Sequence, residues 1–399
     1  MNNNNKIQKL IDKQEIYEVL TRYCQGVDRC DVELIKSVYH EDAQDDHGMF
    51  KGKGLDFAQW IVDWEKENIE IGQHVIGNFS CDLQGDIAYC ETYCISFSVD
   101  KSGKNVIKTS TNNEKLIDEI NWYKQIPEEI LDLVPKISES SVQKNPFIKL
   151  EYIKHPTLSE LWLYGEFSSN FWKEIINELF IIIQKFKKYN HHVTKQEYNL
   201  IYFQKTQDRI NELIKNNEIF KEIFEQDFIF INSKKQKNWK LMKDQINKKI
   251  DSMFNEEDNC LIHGDLYFSN ILYNSEKRNF KLIDPRGKWG QGIAGDIKYD
   301  IAKIRHSIVG GFDTITNGLY SANHQGLNKI EYNVFVSKNN QTIRNELDNI
   351  IERNWKLDEI KMIEGLLFIS MLPLHSDNLE RQLAFFCIGI ERLNEIFGV

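Results

Sequence analysis

One stretch constrains this chain more than any other. From Cys260 it runs Cys-Leu-Ile-His-Gly-Asp-Leu-Tyr-Phe-Ser-Asn-Ile-Leu-Tyr, crosses a short polar turn, and returns as Phe-Lys-Leu-Ile-Asp-Pro-Arg-Gly, ending at Gly287. The apolar Ile271 to Tyr273, the turn-rich Asn274 to Asn279 and the mainly apolar Phe280 to Ile283 predict a β-hairpin. That hairpin carries Asp284 back beside Asn270, so any fold must bring His263-Gly264-Asp265, Asn270 and Asp284 together.

The interval from His263-Gly264-Asp265 to Asn270 is that of the kinase catalytic loop, whose Asp receives the proton of a substrate hydroxyl and whose Asn ligates magnesium. Asp265 is therefore the candidate base, and Asn270 and Asp284 the candidate metal ligands. Carboxylate and amide oxygens are hard donors, suited to Mg2+, which binds through one or two carboxylates plus substrate phosphates. A surface turn or a strand end would explain each fragment alone; the three spaced elements together point to phosphoryl transfer.

These residues resemble the signature of the aminoglycoside phosphotransferase and choline kinase group: His-Gly-Asp, four residues, Asn, and a later Asp. The resemblance implies a bilobal protein-kinase-like fold with a largely helical C-lobe, ATP and Mg2+ as cofactors, and a small-molecule hydroxyl substrate. His263 would support the loop, and Asp300, within Gly295 to Ala302, resembles the acidic residue that braces it. Arg286 departs from the commoner pattern after the metal-binding Asp; a guanidinium there could contact phosphate or an anionic substrate group, or cap the local turn. Together with Met371 to Asp377 and Arg381-Gln382, a candidate acceptor-pocket wall, the Ile283 to Gly287 segment looks like kinases of bacterial capsule and surface-polysaccharide loci. That implies a sugar or similar metabolite as acceptor.

Upstream, Lys104 to Ser110 reads as a short strand with Lys108 on the face of Val106, followed by a helix from about Asn113 to Lys124. In kinases a strand lysine reaches the nucleotide phosphates and a helical glutamate orients it, which suits Lys108 and Glu119, with Glu114 the rival. Lys149 to Ile153 looks like the strand and hinge that hold adenine by backbone hydrogen bonds, at Glu151 and Ile153. No Gly-x-Gly-x-x-Gly precedes Lys108.

The first hundred residues read differently. Apolar residues recur at helical spacing in Ile7, Leu10, Ile11, Ile16, Val19 and Leu20, and Asp31 can cap a second helix through Leu34, Ile35 and Val38. His40 to Gly54 is turn-rich, Phe57 to Trp64 is helical again, and His74 to Leu83 and Ile87 to Val99 predict strands joined at Gln84-Gly85-Asp86. Arg22-Tyr23, Val27-Asp28-Arg29, Tyr39 to Ala43, Gly72 to Asn78 and Gly85 to Ala88 resemble the SnoaL-like, nuclear-transport-factor-like superfamily over about residues 7 to 98. The resemblance implies an α+β cone, a pocket acid/base pair at Asp28 and His74, and a homodimer through this region. The cone is expected to be partial, because the chain goes elsewhere after Val99.

The expected fold is thus α+β: a SnoaL-like region over 1–100, a kinase-like N-lobe over 101–155 that either takes hairpin 72–99 as its first two strands or is the incomplete small lobe of a fusion, and a C-lobe over 156–399. A length of 399 residues fits two or three domains at ~100–200 residues each. A net charge of -10 without a basic stripe argues against nucleic acid and anionic membranes as partners. The Met-Asn-Asn-Asn-Asn-Lys start has no apolar signal region, no apolar run approaches the ~20 residues of a membrane span, and seven cysteines without a Cys-x-x-Cys pair suit a reducing cytoplasm. Two other readings stand beside the kinase: a SnoaL-like dehydratase or isomerase using Asp28 and His74, and a non-catalytic binding or scaffold protein.

Overall fold

The computed structural model describes residues 3–336 and 340–398, apart from the side chains of a few of them, among which Ile7, Leu10 and Asn78 lie outside the described residues. The chain divides into two compact units, Met1–Tyr123 with Pro135–Lys154, and Lys124–Val134 with His155–Val399.

Unit one opens with helices α1 (Asn3–Asp28), α2 (Val32–Lys36) and α3 (Gly54–Asn68). Asp31 caps α2 by accepting the Leu34 N–H at 3.0 Å, satisfying a donor that the first turn would leave orphaned. The three helices close on Val27, Ile35, Ala58 and Val62, all buried. Part of the turn-rich stretch folds into a small hairpin, β1 (Gln44–Asp46) with β2 (Lys51–Lys53).

After α3 comes the main sheet: β3 (Ile69–Gln84), β4 (Ile87–Asp100), β5 (Asn105–Ser110), β6 (Ile137–Ser141) and β7 (Phe147–Glu151). Its order is β3-β4-β5-β7-β6, antiparallel throughout. The sheet continues past Val99. Asp100 accepts the Gly103 N–H at 2.8 Å and the Ser102 hydroxyl, and Gly103 takes φ +65°, so the chain reverses tightly and lays β5 against β4 with Phe97 opposite Lys108. The long hairpin and the Lys108 strand are therefore parts of one sheet. Helix α4 (Asn113–Gln125) follows β5 and buries Leu116, Glu119, Ile120, Trp122 and Tyr123.

Unit two is mainly helical: α5 (Leu158–Tyr164), α6 (Ser169–Lys187), α7 (Lys195–Asn199), α8 (Lys205–Asn216), α9 (Glu218–Glu225), α10 (Trp239–Met253), α11 (Ile297–Ile308), α12 (Phe312–Thr316), α13 (Asn340–Glu352), α14 (Leu357–Ser370) and α15 (Leu379–Phe397). The apolar stripe of α6 buries Trp172, Ile175, Ile176, Leu179, Phe180, Ile183 and Phe186, as its spacing predicts. Helix α7 passes through a π-helical turn at Leu200–Gln204 into α8.

A four-stranded sheet, β14-β15-β8-β9, was not expected from the sequence pattern: it joins β8 (Phe228–Ile231), β9 (Lys234–Lys237), β14 (Tyr320–His324) and β15 (Lys329–Val334). Its central pairing is parallel and unites residues about a hundred positions apart, Phe230 opposite Lys329. Two short antiparallel pairs complete the unit, β10 (Asn259–Leu261) with β13 (Ala294–Asp296) and β11 (Ile271–Asn274) with β12 (Asn279–Leu282).

Candidate active site

The His263 to Asp265 loop leaves β10 and is gripped from behind by α11. Every residue of α11 is buried. Asp300, fully buried, accepts the His263 N–H at 2.7 Å and the Gly264 N–H at 2.8 Å. Burial pushes its carboxyl up to about 7, the two backbone donors working against that rise. Gly264 sits at φ +75°, and a Cβ there would lie 2.7 Å from Arg286 Cβ, so glycine is required twice over.

His263 is buried, and burial pushes its imidazole down to about 4. The ring is therefore neutral near pH 7, and its Nδ1 accepts the Asp265 N–H at 3.3 Å. The proton then sits on Nε2.

The hairpin forms where the sequence places it. Ile271 pairs with Leu282, and the Ile283 N–H donates to the Asn270 carbonyl at 3.0 Å, so Asn270 and Asp284 flank the same end of the hairpin. Asn270 Nδ2 donates to the Asp265 carbonyl at 3.0 Å and lies 3.5 Å from Asp265 Oδ2, which leaves Oδ1 as its oxygen donor. Asp284 takes φ +53°, a left-handed backbone that few side chains other than Asn and Asp adopt.

Among the described residues no three or more His, Cys, Asp or Glu side chains gather into a closed metal cage. An amide oxygen beside a carboxylate fits a cation that completes its shell from substrate oxygens and water, the habit of Mg2+.

One residue of this site escaped the sequence reading. Lys303 donates to Asp265 Oδ1 at 2.8 Å and is only 8% exposed. Burial works against its ammonium, but Asp265, the largest of the opposing influences, leaves it raised above the usual lysine range. Lys303 lies one turn beyond Asp300 on α11, so the signal available was the shared helix face. Arg286, an expected supporting residue, donates Nε to the Lys288 carbonyl at 3.0 Å and Nη1 to the Tyr299 hydroxyl at 3.1 Å.

In unit one, Lys108 on β5 and Glu119 on α4 form an ion pair at 2.6 Å, 7% and 3% exposed respectively, whereas Glu114 is exposed. At the end of β7 the Glu151 N–H donates to the Lys136 carbonyl at 2.8 Å, while Ile153 makes no backbone hydrogen bond among the described residues. On the opposite edge, His74 Nδ1 lies 2.6 Å from Asp28 Oδ1, and the His74 N–H donates to both Asp28 oxygens at 3.0 and 3.1 Å. Glu65 stands nearby, its carboxyl pushed up to about 7 by burial and then by Asp28.

Residues 8–119 match the family model of the SnoaL-like domain, a span that includes Asp28 and His74 and also Lys108 and Glu119. The chain thus carries a SnoaL-like N-terminal domain in an α+β fold. No curated protein sequence matches it. Among solved structures, it is similar to a thermostable mutant of an aminoglycoside phosphotransferase in ternary complex with ADP and hygromycin B, at 10% identity and TM-score 0.48 over 81% of this chain and 96% of that one. It is similar also to an ethanolamine kinase of Plasmodium vivax, at 14% identity and TM-score 0.41 over 92% of this chain and 93% of that one. A third is an aminoglycoside phosphotransferase of Streptomyces rimosus with ADP and streptomycin, at 8% identity and TM-score 0.36 over 75% of this chain and 90% of that one.

Proposed function

We propose that this protein transfers the γ-phosphoryl group of ATP to a hydroxyl of a small molecule, a sugar or similar metabolite, with Mg2+ as cofactor. The observation that carries the reading is the joint placement of Asp265, Asn270 and Asp284 by one loop and one hairpin, with Asn270 bonded to both of the segments that hold the acids.

In this reading the acceptor oxygen forms a bond to the γ-phosphorus as the bond from phosphorus to the β–γ bridging oxygen breaks, and ADP leaves with that electron pair. Asp265 takes the hydroxyl proton. Lys303 holds Oδ1 and so fixes the carboxylate that meets the acceptor. Asn270 and Asp284 would hold Mg2+, which when bound neutralises charge on the phosphates. Lys108, oriented by Glu119, is the residue assigned to the nucleotide phosphates, and Ile153 and Glu151 to adenine. Catalysis of this kind rests on positioning and electrostatics rather than on covalent chemistry by the protein. Capsule or surface-polysaccharide synthesis is the proposed setting and the cytoplasm the proposed compartment, and a dimer through the SnoaL-like domain is proposed with them.

The test is direct. Purified protein is incubated with ATP, Mg2+ and a panel of sugars and alcohols, and product is read by mass spectrometry; absence of phosphorylated product with every acceptor and nucleotide would refute the proposal.

A second reading draws on the Asp28 and His74 contact. With Nδ1–H donating to Asp28, Nε2 is left as a base, as dehydration or isomerisation would require. Phosphoryl transfer that is unaffected in His74→Ala separates the two chemistries.

A further inference from the structure

Strand β4 has a neighbour on both sides only over part of its length. Its pairing with β5 runs from Ile95 to Val99, and beyond the bulge between Ile76 and Phe79 only β3 and β4 remain, Phe79 to Gln84 against Ile87 to Thr92. Gly85, at φ +63°, closes the turn between them. A two-stranded ribbon of this kind is marginally stable in water. Helix α1 lies against one face of it, where the Tyr17 and Phe79 ring centroids are 5.5 Å apart, while Ile87 and Tyr89 on the other face are 56% and 59% exposed.

Midway along the ribbon Cys81 stands directly opposite Cys90. Residues so placed project from the same face with their Cα atoms about 4.5 or 5.5 Å apart, and a disulfide spans about 4.4–6.8 Å between Cα atoms. The two thiols therefore join without moving the backbone. Cys90 is exposed and Cys81 half-buried, so a small reagent reaches them. Among the described residues no other two cysteines are opposite one another in a strand pair: Cys94 faces Ile76 across the ladder, and Cys260 faces Gly295.

We infer that Cys81 and Cys90 form a modification site, a dithiol that exchanges with a small-molecule disulfide and closes into a disulfide bond across the ribbon. In the first step the thiolate of one cysteine attacks the oxidant's S–S bond, forms a mixed disulfide and expels a small thiolate. The thiolate of the other cysteine then displaces the remaining half. Two protein S–H bonds and one oxidant S–S bond give one protein S–S bond and two small thiols, so protons and electrons balance. The bond pins a register that no third strand supports. Because β4 runs on from the ribbon to Phe97, the residue opposite Lys108, it also braces the strand that flanks that lysine. In a reducing compartment such a bond is transient and reports the local level of disulfide.

Thiol mapping tests this directly. The full chain, freed of reductant, is incubated with glutathione disulfide; free thiols are blocked with iodoacetamide in urea, the remainder are reduced and labelled with N-ethylmaleimide, and each cysteine is read by tandem mass spectrometry. Cys81 and Cys90 are expected to take the second label together and the other cysteines the first, in a protein whose intact mass before reduction shows no attached glutathione. Amides from Phe79 to Thr92 should then exchange hydrogen at least about threefold more slowly than in the reduced protein, and dithiothreitol should restore the faster rate. Cys81→Ser and Cys90→Ser should form no internal bond and show no such slowing. Glutathione retained on the wild type in place of the bond, both thiols still taking the first label, or a bond from either cysteine to a different cysteine or to a second chain would overturn the inference. So would ribbon exchange that is unchanged on oxidation, or that slows equally in Cys90→Ser.

Discussion

Lys303 and Asp265 form a salt bridge of 2.8 Å, made from the same helix that holds the His263 to Asp265 loop through Asp300. Helix α11 thus both pairs with the Asp265 carboxylate and grips the loop that carries it.

Lys303→Met should therefore lower kcat by about ten- to a hundredfold while leaving nucleotide affinity within about threefold, since proton acceptance by a positioned group contributes about 10²–10⁴ and this change loosens the group without removing it. Lys303→Arg should recover part of the loss. Steady-state kinetics beside an ADP titration checks the split; equal losses in both would point to a collapsed site instead.

Asp265→Asn should reduce transfer by about 10²–10⁴ with ADP–Mg2+ binding intact. Asp284→Ala should do the reverse first, weakening metal-dependent nucleotide binding. Calorimetry with and without Mg2+ distinguishes the two variants.

Glu119→Ala leaves Lys108 buried without the carboxylate at 2.6 Å. Breaking a buried pair from one side costs about 3–5 kcal/mol, so urea denaturation should show a loss of that order. A loss below 1 kcal/mol would mean that Lys108 is held by other means.

His263 gives a pH signature. Its folded value of about 4 lies below the unfolded 6.5, so the folded chain binds fewer protons. The stability this group confers is complete above pH 6.5 and is lost as pH falls from there through about 4. Wild type should lose on the order of 3 kcal/mol more than His263→Gln across that interval, read as the difference in urea midpoints. Parallel pH curves for the two proteins would remove His263 from this role.

What the sequence disclosed was local. The interval from Asp265 to Asn270, the hairpin that returns Asp284 and the helical spacing after Lys108 each lie within a few dozen residues, and the structure builds these elements where the pattern places them. What stayed hidden was nonlocal. Asp265 and Lys303 come from separate segments, and a lysine in a sequence looks the same whether solvated or paired with an acid. The β14-β15-β8-β9 sheet was illegible for the same reason: its parallel contact joins Phe230 to Lys329, and nothing near either residue announces the other. The lysines of β9 disguised a strand as a solvent-facing run. The small β1–β2 hairpin was lost because three-residue strands carry almost no periodicity.

The sheet of unit one leaves no seam along which the chain could be divided. The β3–β4 hairpin belongs to the SnoaL-like match and also pairs, strand to strand, with the Lys108 segment. Cutting the gene near codon 100 would give two products with raw β edges, each inviting aggregation, and neither holding Lys108 against both of its neighbouring strands. Complementation by two separately expressed halves should fail, and a lineage that lost its first hundred residues would lose the lysine's wall with them.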